Sequence, residues 1–191
     1  MKSIVLASSS PRRKKLLERI GIPFIVDPST FNESSISLQN PNELVQALAL
    51  EKARDVAKRH KNSIIIGVDT IVVYKNTQFG KPKNIAEAKQ MLKTLSGNTH
   101  EVTTGIALVD SQSNKELTNF QTATVEFNNL TDKEIYEYLE TGKAMDKAGA
   151  YAIQEGKSKY FIKRTQGDYT TIVGLPLKLL TTMLLEFGIY L

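Results

Sequence analysis

The sequence predicts an α/β fold in which helices flank a mixed, twisted sheet and two lobes surround a cleft. Strand and helix patterns alternate from residue 4 to residue 95. A nearly continuous β-branched run from Ser63 to Val73 is typical of a strand buried on both faces. Two further strand patterns, 100–110 and 117–127, follow one another across a polar turn. The length of 191 residues suits one domain or two closely joined lobes.

The first strand and helix carry the most informative feature of the chain. Residues 4–7 predict a short buried strand, and Ser8 to Ser10 then supply N-cap hydroxyls. Pro11 suits the first helical position, so Arg12 and Arg13 fall in the first turn. The helix dipole disfavours each cation there by about 0.3–1 kcal/mol, unless an anion binds at the same place. The segment therefore predicts a polyphosphate site, with a pair of solvated arginines as the alternative.

The second helix places a lysine on its apolar face. A strand at 23–26 and a polar loop at 27–39, which contains Glu33, precede a helix that Asn40 caps and that runs to about His60. Helical periodicity puts Lys52 in the middle of the face formed by Val45, Leu48, Ala49, Ala53 and Val56. Lys52 either extends from the helix edge into solvent or directs its ammonium group into a cleft.

Asp69 interrupts the β-branched run between Ser63 and Val73. A carboxylate in a buried strand must be hydrogen-bonded, ion-paired or metal-bound, because burial of an isolated charge is very costly. The alternatives are a structural carboxylate with a backbone partner and a catalytic or metal-binding group.

The pattern of the rest of the chain predicts mainly structural elements. We expect a turn at 74–78, a loop at 80–82 that presents Lys81, and a helix from Asn84 to Leu95 whose core face includes Ile85. The later elements, in chain order, are a capping box at Thr131 to Glu134 with its helix, an Asp146–Lys147 pair before small residues, a strand at 159–163, a turn at 166–168 and a terminal helix after Gly174–Pro176. The Asp146–Lys147 pair could also be a simple ion-paired loop.

Composition excludes several kinds of site. With no cysteine, disulfides, thiolate metal sites and a cysteine nucleophile are excluded, and two histidines cannot form a histidine-rich metal centre. Carboxylates must hold any metal, which favours Mg²⁺ or Mn²⁺ bound partly through substrate phosphates. The first residues are too short an apolar run for a signal peptide and no stretch reaches membrane-spanning length, so we expect a soluble, cytoplasmic protein with no membrane partner.

The net charge of +5 admits a nucleic-acid partner, but the basic residues are scattered among 20 acidic ones. The sequence contains no recognition helix, zinc knuckle or basic-aromatic motif, so we expect no nucleic-acid partner. A nucleic-acid-binding protein would show strongly salt-dependent binding to polynucleotides.

Seven ordered motifs resemble those of the Maf family of nucleoside triphosphate pyrophosphatases along nearly the whole chain. They are Leu6-Ala7-Ser8-Ser9-Ser10-Pro11-Arg12-Arg13, Glu51-Lys52-Ala53, Gly67-Val68-Asp69-Thr70, Gly80-Lys81-Pro82, Leu95-Ser96-Gly97, the stretch from Asp146 to Gln154, and Val173-Gly174-Leu175-Pro176. The resemblance implies a single domain over residues 1–191, with a fold like inosine triphosphate pyrophosphatase. It also implies hydrolysis of a nucleoside triphosphate between the α and β phosphates, a divalent metal cofactor and a homodimer.

The resemblance further implies which base is recognised. Family members with Ser-Pro-Arg-Arg, Asp-Thr and Gly-Ala-Tyr-x-Ile-Gln are associated with dTTP and UTP, whereas a sister subfamily that acts on 7-methyl-GTP differs at three positions. Here those positions are Arg12, Thr70 and Gln154, all of the pyrimidine type. The Gln154 amide is also chemically suited to a uracil or thymine edge, since it can donate to a carbonyl and accept from the ring N–H.

The charges of the matching motifs suggest a role for each residue. Arg12, Arg13, Lys52 and Lys81 would neutralise the triphosphate and the leaving pyrophosphate, with hydrogen bonds from Ser8 and Ser10. Asp69 would be the general base or a metal ligand, and Glu33 is the second candidate metal ligand. Asp146 and Lys147 would shape the pocket, with Lys147 as a further phosphate contact.

A regulator that binds nucleotides without turnover is the main alternative, because the family resemblance also implies a link to septum formation and cell division. Retention of Asp69 beside four cations favours catalysis, since a carboxylate weakens anion binding unless a metal or a water uses it.

Overall fold

A computed structural model describes residues 2–190 of the chain. Within that range the residues form seven strands, six α-helices and three short 3₁₀ helices. The strands are β1 (Ser3–Leu6), β2 (Phe24–Val26), β3 (Ser63–Tyr74), β4 (Thr77–Phe79), β5 (Thr99–Asp110), β6 (Glu116–Phe127) and β7 (Ile162–Gln166). The α-helices are α1 (Pro11–Glu18), α2 (Pro41–Ala57), α3 (Ile85–Leu95), α4 (Asp132–Leu139), α5 (Tyr169–Val173) and α6 (Leu177–Leu185). The 3₁₀ helices are Glu33–Ser35, Ala148–Ala150 and Gly156–Phe161.

The strands form a mixed sheet in the order β2-β1-β3-β5-β6-β7, with β4 paired to β3. β1 pairs parallel with both of its neighbours, so that Ile4 lies opposite Phe24 on β2 and Ile64 on β3. β4 is antiparallel to β3, and β7 is antiparallel to β6. The predicted α/β class with a mixed sheet is confirmed.

The chain divides into two compact units. Among the described residues, the first unit contains 2–69, 104–121 and 174–190, and the second contains Thr70–Thr103 and Thr122–Val173. β3, β5 and β6 each contribute residues to both units because the boundaries fall within these strands.

In the first unit, α2 lies directly against the backbone of β3 and β5. A Cβ atom added to Gly67 on β3 would overlap the carbonyl oxygen of Ala49 and lie 2.9 Å from Cβ of Ala53. A Cβ atom added to Gly105 on β5 would likewise overlap the carbonyl oxygen of Val45. Two glycines therefore permit a close approach that larger residues would prevent.

In the second unit, aromatic side chains form the centre of the core. Phe127 and Tyr138 both pack edge-on against Phe161, with ring centroids 6.1 and 5.3 Å apart respectively. The buried face of α3 completes this core with Ala88, Met91, Leu92 and Leu95.

The predicted helix starts are confirmed by their caps. Side chains of Ser10, Asn40 and Asn84 accept backbone hydrogen bonds at the first turns of α1, α2 and α3. Thr131 and Glu134 form the predicted capping box of α4. Short-range cap chemistry was therefore a reliable predictor of these four helix starts.

Three predictions of detail were wrong. The predicted strand at 159–163 is mostly the 3₁₀ helix Gly156–Phe161, and β7 begins only at Ile162. The hydroxyl of Ser158 lies within hydrogen-bond distance of the carbonyl oxygens of both Ala152 and Glu155 and shares its one hydrogen between them, which favours a tight turn there. Ile85, the first residue of α3, is 63% exposed and is not part of the core. The helix α2 ends at Ala57 rather than near His60.

Between residues 2 and 190, no helix has the length and apolar character needed to cross a membrane.

Candidate active site

The start of α1 holds Arg13 in a fixed position. Its backbone N–H donates to the N-cap hydroxyl of Ser10 at 3.4 Å. Its guanidinium donates through Nε to the carbonyl oxygen of Gly174 at 2.9 Å and through Nη1 to the hydroxyl of Ser8 at 3.1 Å. Ser8 is buried, and it also accepts from the backbone N–H of Ser10. Arg13 is therefore anchored within the first unit and is not a solvated arginine.

Burial lowers the pKa of Arg13 below the usual value of an arginine, and the neighbouring charge of Arg12 lowers it further. Asp69 and Glu33 oppose this decrease. Arg12 is half-buried and occupies the next position in the same first turn. Two cations thus lie at the positive end of a helix, where an anionic ligand would relieve their repulsion.

Lys52 on α2 joins two carboxylates from different parts of the first unit. Its Nζ atom lies 2.5 Å from Oδ1 of Asp69 and 2.8 Å from Oε1 of Glu33. Lys52 and Asp69 are buried, whereas the Glu33 side chain is 47% exposed. The possibility that Lys52 extends into solvent is therefore wrong, and the charged partner of Asp69 is an ammonium group.

The close approach of α2 to β3 explains why Lys52 reaches Asp69. Gly67 contacts Ala49 and Ala53, and Lys52 lies between these two alanines on the buried face of α2. Asp69 follows Gly67 by two residues, so its side chain projects from the same face of β3.

Burial raises the pKa of Asp69 above the usual value of an aspartate. The charges of Lys52 and Arg13 oppose this rise, while that of Glu33 adds to it. A buried carboxylate with a raised pKa and one charged partner is a stronger base than an exposed aspartate. The arrangement suits proton removal from a water molecule.

In the second unit, Lys147 is enclosed by oxygen atoms. Its Nζ atom lies 2.6 Å from Oδ1 of Asp146, 3.5 Å from Oε2 of Glu155 and 2.5 Å from the carbonyl oxygen of Lys143. Lys147 is 4% exposed, whereas Asp146 is exposed. The predicted pair is therefore real, and a second acidic residue, Glu155, also pairs with Lys147.

The other predicted residues of the second unit are more accessible. Lys81 is exposed and forms no ion pair with any residue between 2 and 190. Thr70 is half-buried and follows Asp69 directly in β3, and Gln154 is half-buried in the turn after Tyr151. The backbone N–H of Gly149 donates to the carbonyl oxygen of Gly80 at 3.1 Å, which links the loop of Lys81 to the segment that leads to Gln154.

The carboxylates near Lys52 suit a divalent cation that is bound mainly by phosphate oxygens of a nucleotide and by waters, and only partly by the protein. Asp69 and Glu33 already share one cation, the ammonium group of Lys52. Across residues 2–190, no group of three or more histidine or acidic residues could hold a metal by itself. Mg²⁺ fits such a site, because it is usually bound by one or two carboxylates together with waters and phosphate oxygens.

A family model described as "Maf-like protein" matches residues 3–187. The chain belongs to the Maf family. Three Bacillus relatives of this Maf protein carry the name "dTTP/UTP pyrophosphatase". The relative from Bacillus cytotoxicus is 48% identical over 98% of this chain and 96% of its own length. Those from Bacillus cereus and Bacillus mycoides are 46% and 45% identical, over 99% and 98% of this chain and 92% and 96% of their own lengths.

A solved structure supports the fold of this Maf protein. The HAM1 protein from Coxiella burnetii matches 97% of this chain and 100% of its own, with a TM-score of 0.51 and 19% sequence identity. At that identity the likeness concerns the fold alone.

Sequence reasoning missed two contacts of the site. The carbonyl oxygen of Gly174 anchors Arg13, and Glu155 pairs with Lys147. Gly174 lies within a motif shared with the Maf family and so had a signal in the sequence, whereas Glu155 lies just outside the matched stretch that ends at Gln154 and had none. Neither partner could be assigned, because each contact joins residues from separate elements.

Proposed function

We propose that this protein hydrolyses dTTP and UTP between the α and β phosphates, giving the monophosphate and pyrophosphate. The observation that carries the proposal is the buried Lys52, whose ammonium group contacts the carboxylates of both Asp69 and Glu33. A pure anion-binding protein gains nothing from two carboxylates at this position, because they repel phosphate. The names of the Bacillus relatives support the same reaction and the same bases.

The first turn of α1 binds phosphate in this proposal. Arg12 and Arg13 neutralise phosphate oxygens, and the hydroxyls of Ser8 and Ser10 add hydrogen bonds. Arg13 is held in place by Gly174 and Ser8, so its charge needs little reorganisation as negative charge grows on the leaving pyrophosphate. Lys81, exposed and without an ion pair among residues 2–190, contributes a further positive charge.

Asp69 removes the proton from the attacking water. Its raised pKa makes it a suitable acceptor, and Lys52 stabilises its ionised form before the reaction. Lys147 shapes the pocket and provides a further phosphate contact in this proposal. Its ammonium group is oriented by the carboxylate of Asp146 and the carbonyl oxygen of Lys143.

Glu33 would hold Mg²⁺ or Mn²⁺ together with phosphate oxygens, and the metal would neutralise phosphate charge and lower the pKa of bound water. Asp69 would be a second metal ligand only in the alternative in which the metal, and not Asp69, activates the water, because a metal-bound carboxylate is a poor base. Glu33→Gln tests this assignment directly. We expect the Mn²⁺ concentration for half-maximal activity to rise about tenfold to a hundredfold, whereas Glu101→Gln, which makes the same change at an exposed residue of β5, leaves it unchanged. An unchanged Mn²⁺ requirement in Glu33→Gln would remove Glu33 from the metal site.

Arg12, Thr70 and Gln154 select the base. The half-buried Gln154 amide offers a donor and an acceptor, which match a carbonyl and the ring N–H of uracil or thymine. Cytosine presents the opposite pattern at the exocyclic position, so we expect dTTP and UTP to be preferred over CTP.

Pyrophosphate release from dTTP, UTP, CTP, dATP, GTP and 7-methyl-GTP, with Mg²⁺ or Mn²⁺, tests the function. We expect turnover of dTTP and UTP, and a loss of about 10²–10⁴-fold in Asp69→Asn while nucleotide still binds. Turnover of 7-methyl-GTP instead would contradict the base assignment. Tight binding with no turnover of any nucleotide would contradict the hydrolase and favour a regulator of septum formation.

We further propose that the protein acts as a homodimer in the cytoplasm and does not bind nucleic acid. The absence of cysteine from the sequence suits a reducing compartment. Light scattering during size-exclusion chromatography tests the dimer. Competition tests the partner, since free dTTP should displace a labelled nucleotide and an unrelated oligonucleotide should not.

A further inference from the structure

A buried hydrogen bond joins His100 of β5 to Tyr151, 51 residues later in the chain. Nε2 of His100 lies 2.7 Å from the hydroxyl oxygen of Tyr151. His100 is 2% exposed and Tyr151 6% exposed, and both rings pack edge-on against Phe127 with centroids 4.9 and 4.7 Å away. None of these groups has a part in the proposed chemistry, although all lie in the second unit together with Gln154.

Tyr151 belongs to a segment that is held at several points. Upstream, the backbone N–H of Gly149 donates to the carbonyl oxygen of Gly80. Downstream, the hydroxyl of the fully buried Ser158 lies 2.7 and 2.8 Å from the carbonyl oxygens of Ala152 and Glu155, between which its one hydrogen is shared. Gln154 lies between these anchors.

The backbone just before Tyr151 is strained. Gly149 and Ala150 have φ angles of 65° and 64°, and Ala150 is fully buried. An alanine in the left-handed region is disfavoured and persists only where surrounding contacts impose it. The hydrogen bond and ring packing of Tyr151, directly after Ala150, are among the contacts that hold this segment.

We propose that His100 is a positioning residue for base recognition, because its hydrogen bond to Tyr151 fixes the segment that presents Gln154 to the pyrimidine. This inference rests on the proposed function, in which Gln154 reads the base. It assigns a role in specificity to a side chain that does not touch the nucleotide.

The protonation states suit a permanent bond. Burial lowers the pKa of His100 to about 4, so the ring is neutral near pH 7. Burial also raises the pKa of Tyr151 above the usual value of a tyrosine, so its hydroxyl stays protonated and can donate to Nε2. The bond is therefore unchanged across the physiological pH range.

Tyr151→Phe removes only the hydroxyl and keeps the ring. We expect KM for dTTP and UTP to rise about threefold to tenfold, since a freed Gln154 must be ordered on binding, with kcat within about twofold of wild type. We also expect weaker discrimination against CTP. The matched control is Tyr138→Phe, the same change at another buried tyrosine of the second unit, and it should leave KM and discrimination unchanged.

Equal effects of the two tyrosine variants, or an unchanged KM and discrimination in Tyr151→Phe, would overturn the inference. His100→Leu should reproduce the Tyr151→Phe effect on KM, and the double variant should be no worse than the more affected single variant. Additive effects of the two changes would also overturn it. Thermal unfolding and circular dichroism establish that each variant is folded.

The inference and the proposed function fail in different ways. Wild-type protein that hydrolyses none of the nucleotides contradicts the function. Wild-type protein that hydrolyses dTTP, with Tyr151→Phe indistinguishable from it, contradicts only the role of His100. A second readout needs no activity. The chain has two histidines, so ¹⁵N ring spectra of wild type and Tyr151→Phe should show the His100 Nε2 signal shift while that of His60 stays fixed.

Discussion

The Nζ atom of Lys52 lies 2.5 Å from Oδ1 of Asp69, and both side chains are buried. The two residues belong to α2 and β3, which meet where Gly67 allows the helix to approach the strand backbone. Burial of the pair carries a large desolvation cost, and buried charges of this kind cluster at functional sites. The exposed Glu33 carboxylate completes the group and leaves it open to a ligand.

Loss of the ammonium group should strongly destabilise the protein. Lys52→Met leaves Asp69 as a buried carboxylate without its partner, so we expect the free energy of unfolding in urea to fall by about 3 kcal/mol at pH 7. The double variant Lys52→Met/Asp69→Leu should recover most of this loss, because no unpaired buried charge remains.

The exposed pair of Lys93 and Asp132, with Nζ and Oδ1 2.7 Å apart, provides the control. Lys93→Met should leave the free energy of unfolding close to that of wild type, because solvent screens this exposed pair. If Lys52→Met proves no more destabilising than Lys93→Met, burial does not set the cost of the Lys52–Asp69 pair.

The anchoring of Arg13 predicts that lysine cannot replace it. Its guanidinium donates to Gly174 and Ser8 through two different nitrogens, a geometry that an ammonium group cannot reproduce. We expect Arg13→Lys to raise KM for dTTP about tenfold and to lower the free energy of unfolding by about 1 kcal/mol. Steady-state kinetics and urea unfolding measure the two effects.

Arg19→Lys is the matched control, because Arg19 is exposed at the end of the same helix. It should behave as wild type in both measurements. Equal kinetics for the two variants would mean that positive charge alone, without the anchored geometry, suffices at Arg13.

The sequence predicted the local features of this site better than its contacts. The N-cap Ser10 and the first-turn position of Arg13 follow from short-range rules of helix capping. Periodicity indicated that Lys52 lies on the apolar face of its helix and that Asp69 lies within a buried strand. The ion pair between Lys52 and Asp69 depends on the packing of α2 on β3. Hydrophobic patterns fix which face of an element is buried and not which residue lies opposite.

The same limit explains the wrong strand at 159–163. Its aromatic and β-branched residues Tyr160, Phe161 and Ile162 fit a strand, but the segment before Ile162 forms a 3₁₀ helix. There the hydroxyl of the buried Ser158 shares its hydrogen between the carbonyl oxygens of Ala152 and Glu155. Tertiary contacts of this kind override local preference, and they cannot be deduced from the segment itself.

Asp27 should make stability depend on pH below pH 4. Hydrogen bonds from Arg59 and His60 lower the pKa of Asp27 from 3.8 to about 2. The ionised carboxylate therefore stabilises the fold fully above pH 4, and this contribution is lost as the pH falls through the folded-state pKa. Asp27→Asn should lower the free energy of unfolding by about 1–2 kcal/mol at pH 5, and the difference from wild type should shrink towards pH 2.

Urea unfolding at several pH values between 2 and 6 measures this dependence. A constant difference between Asp27→Asn and wild type over that range would show that the variant acts through packing and not through the charge of Asp27. The result also bears on the site, because Arg59 donates to Asp27 and to the carbonyl oxygen of Pro28, at the start of the segment that carries Glu33.

Gly67 should be intolerant of even one added methyl group. In Gly67→Ala the new Cβ would overlap the carbonyl oxygen of Ala49, so α2 must move away from β3. We expect the free energy of unfolding to fall by about 2 kcal/mol. The shift also moves Lys52 relative to Asp69, so kcat should fall about tenfold or more.

Gly80→Ala is the control for stability, because its added Cβ has no atom of residues 2–190 within 4 Å apart from its own residue and its two chain neighbours, and its backbone conformation is open to alanine. Its free energy of unfolding should stay within about 0.5 kcal/mol of wild type. Thermal unfolding and dTTP turnover of Gly67→Ala distinguish two effects of the helix shift. A stable Gly67→Ala protein with reduced kcat would mean that α2 adjusts without loss of packing, whereas wild-type stability and wild-type kcat together would contradict the role of Gly67 in setting the Lys52–Asp69 contact.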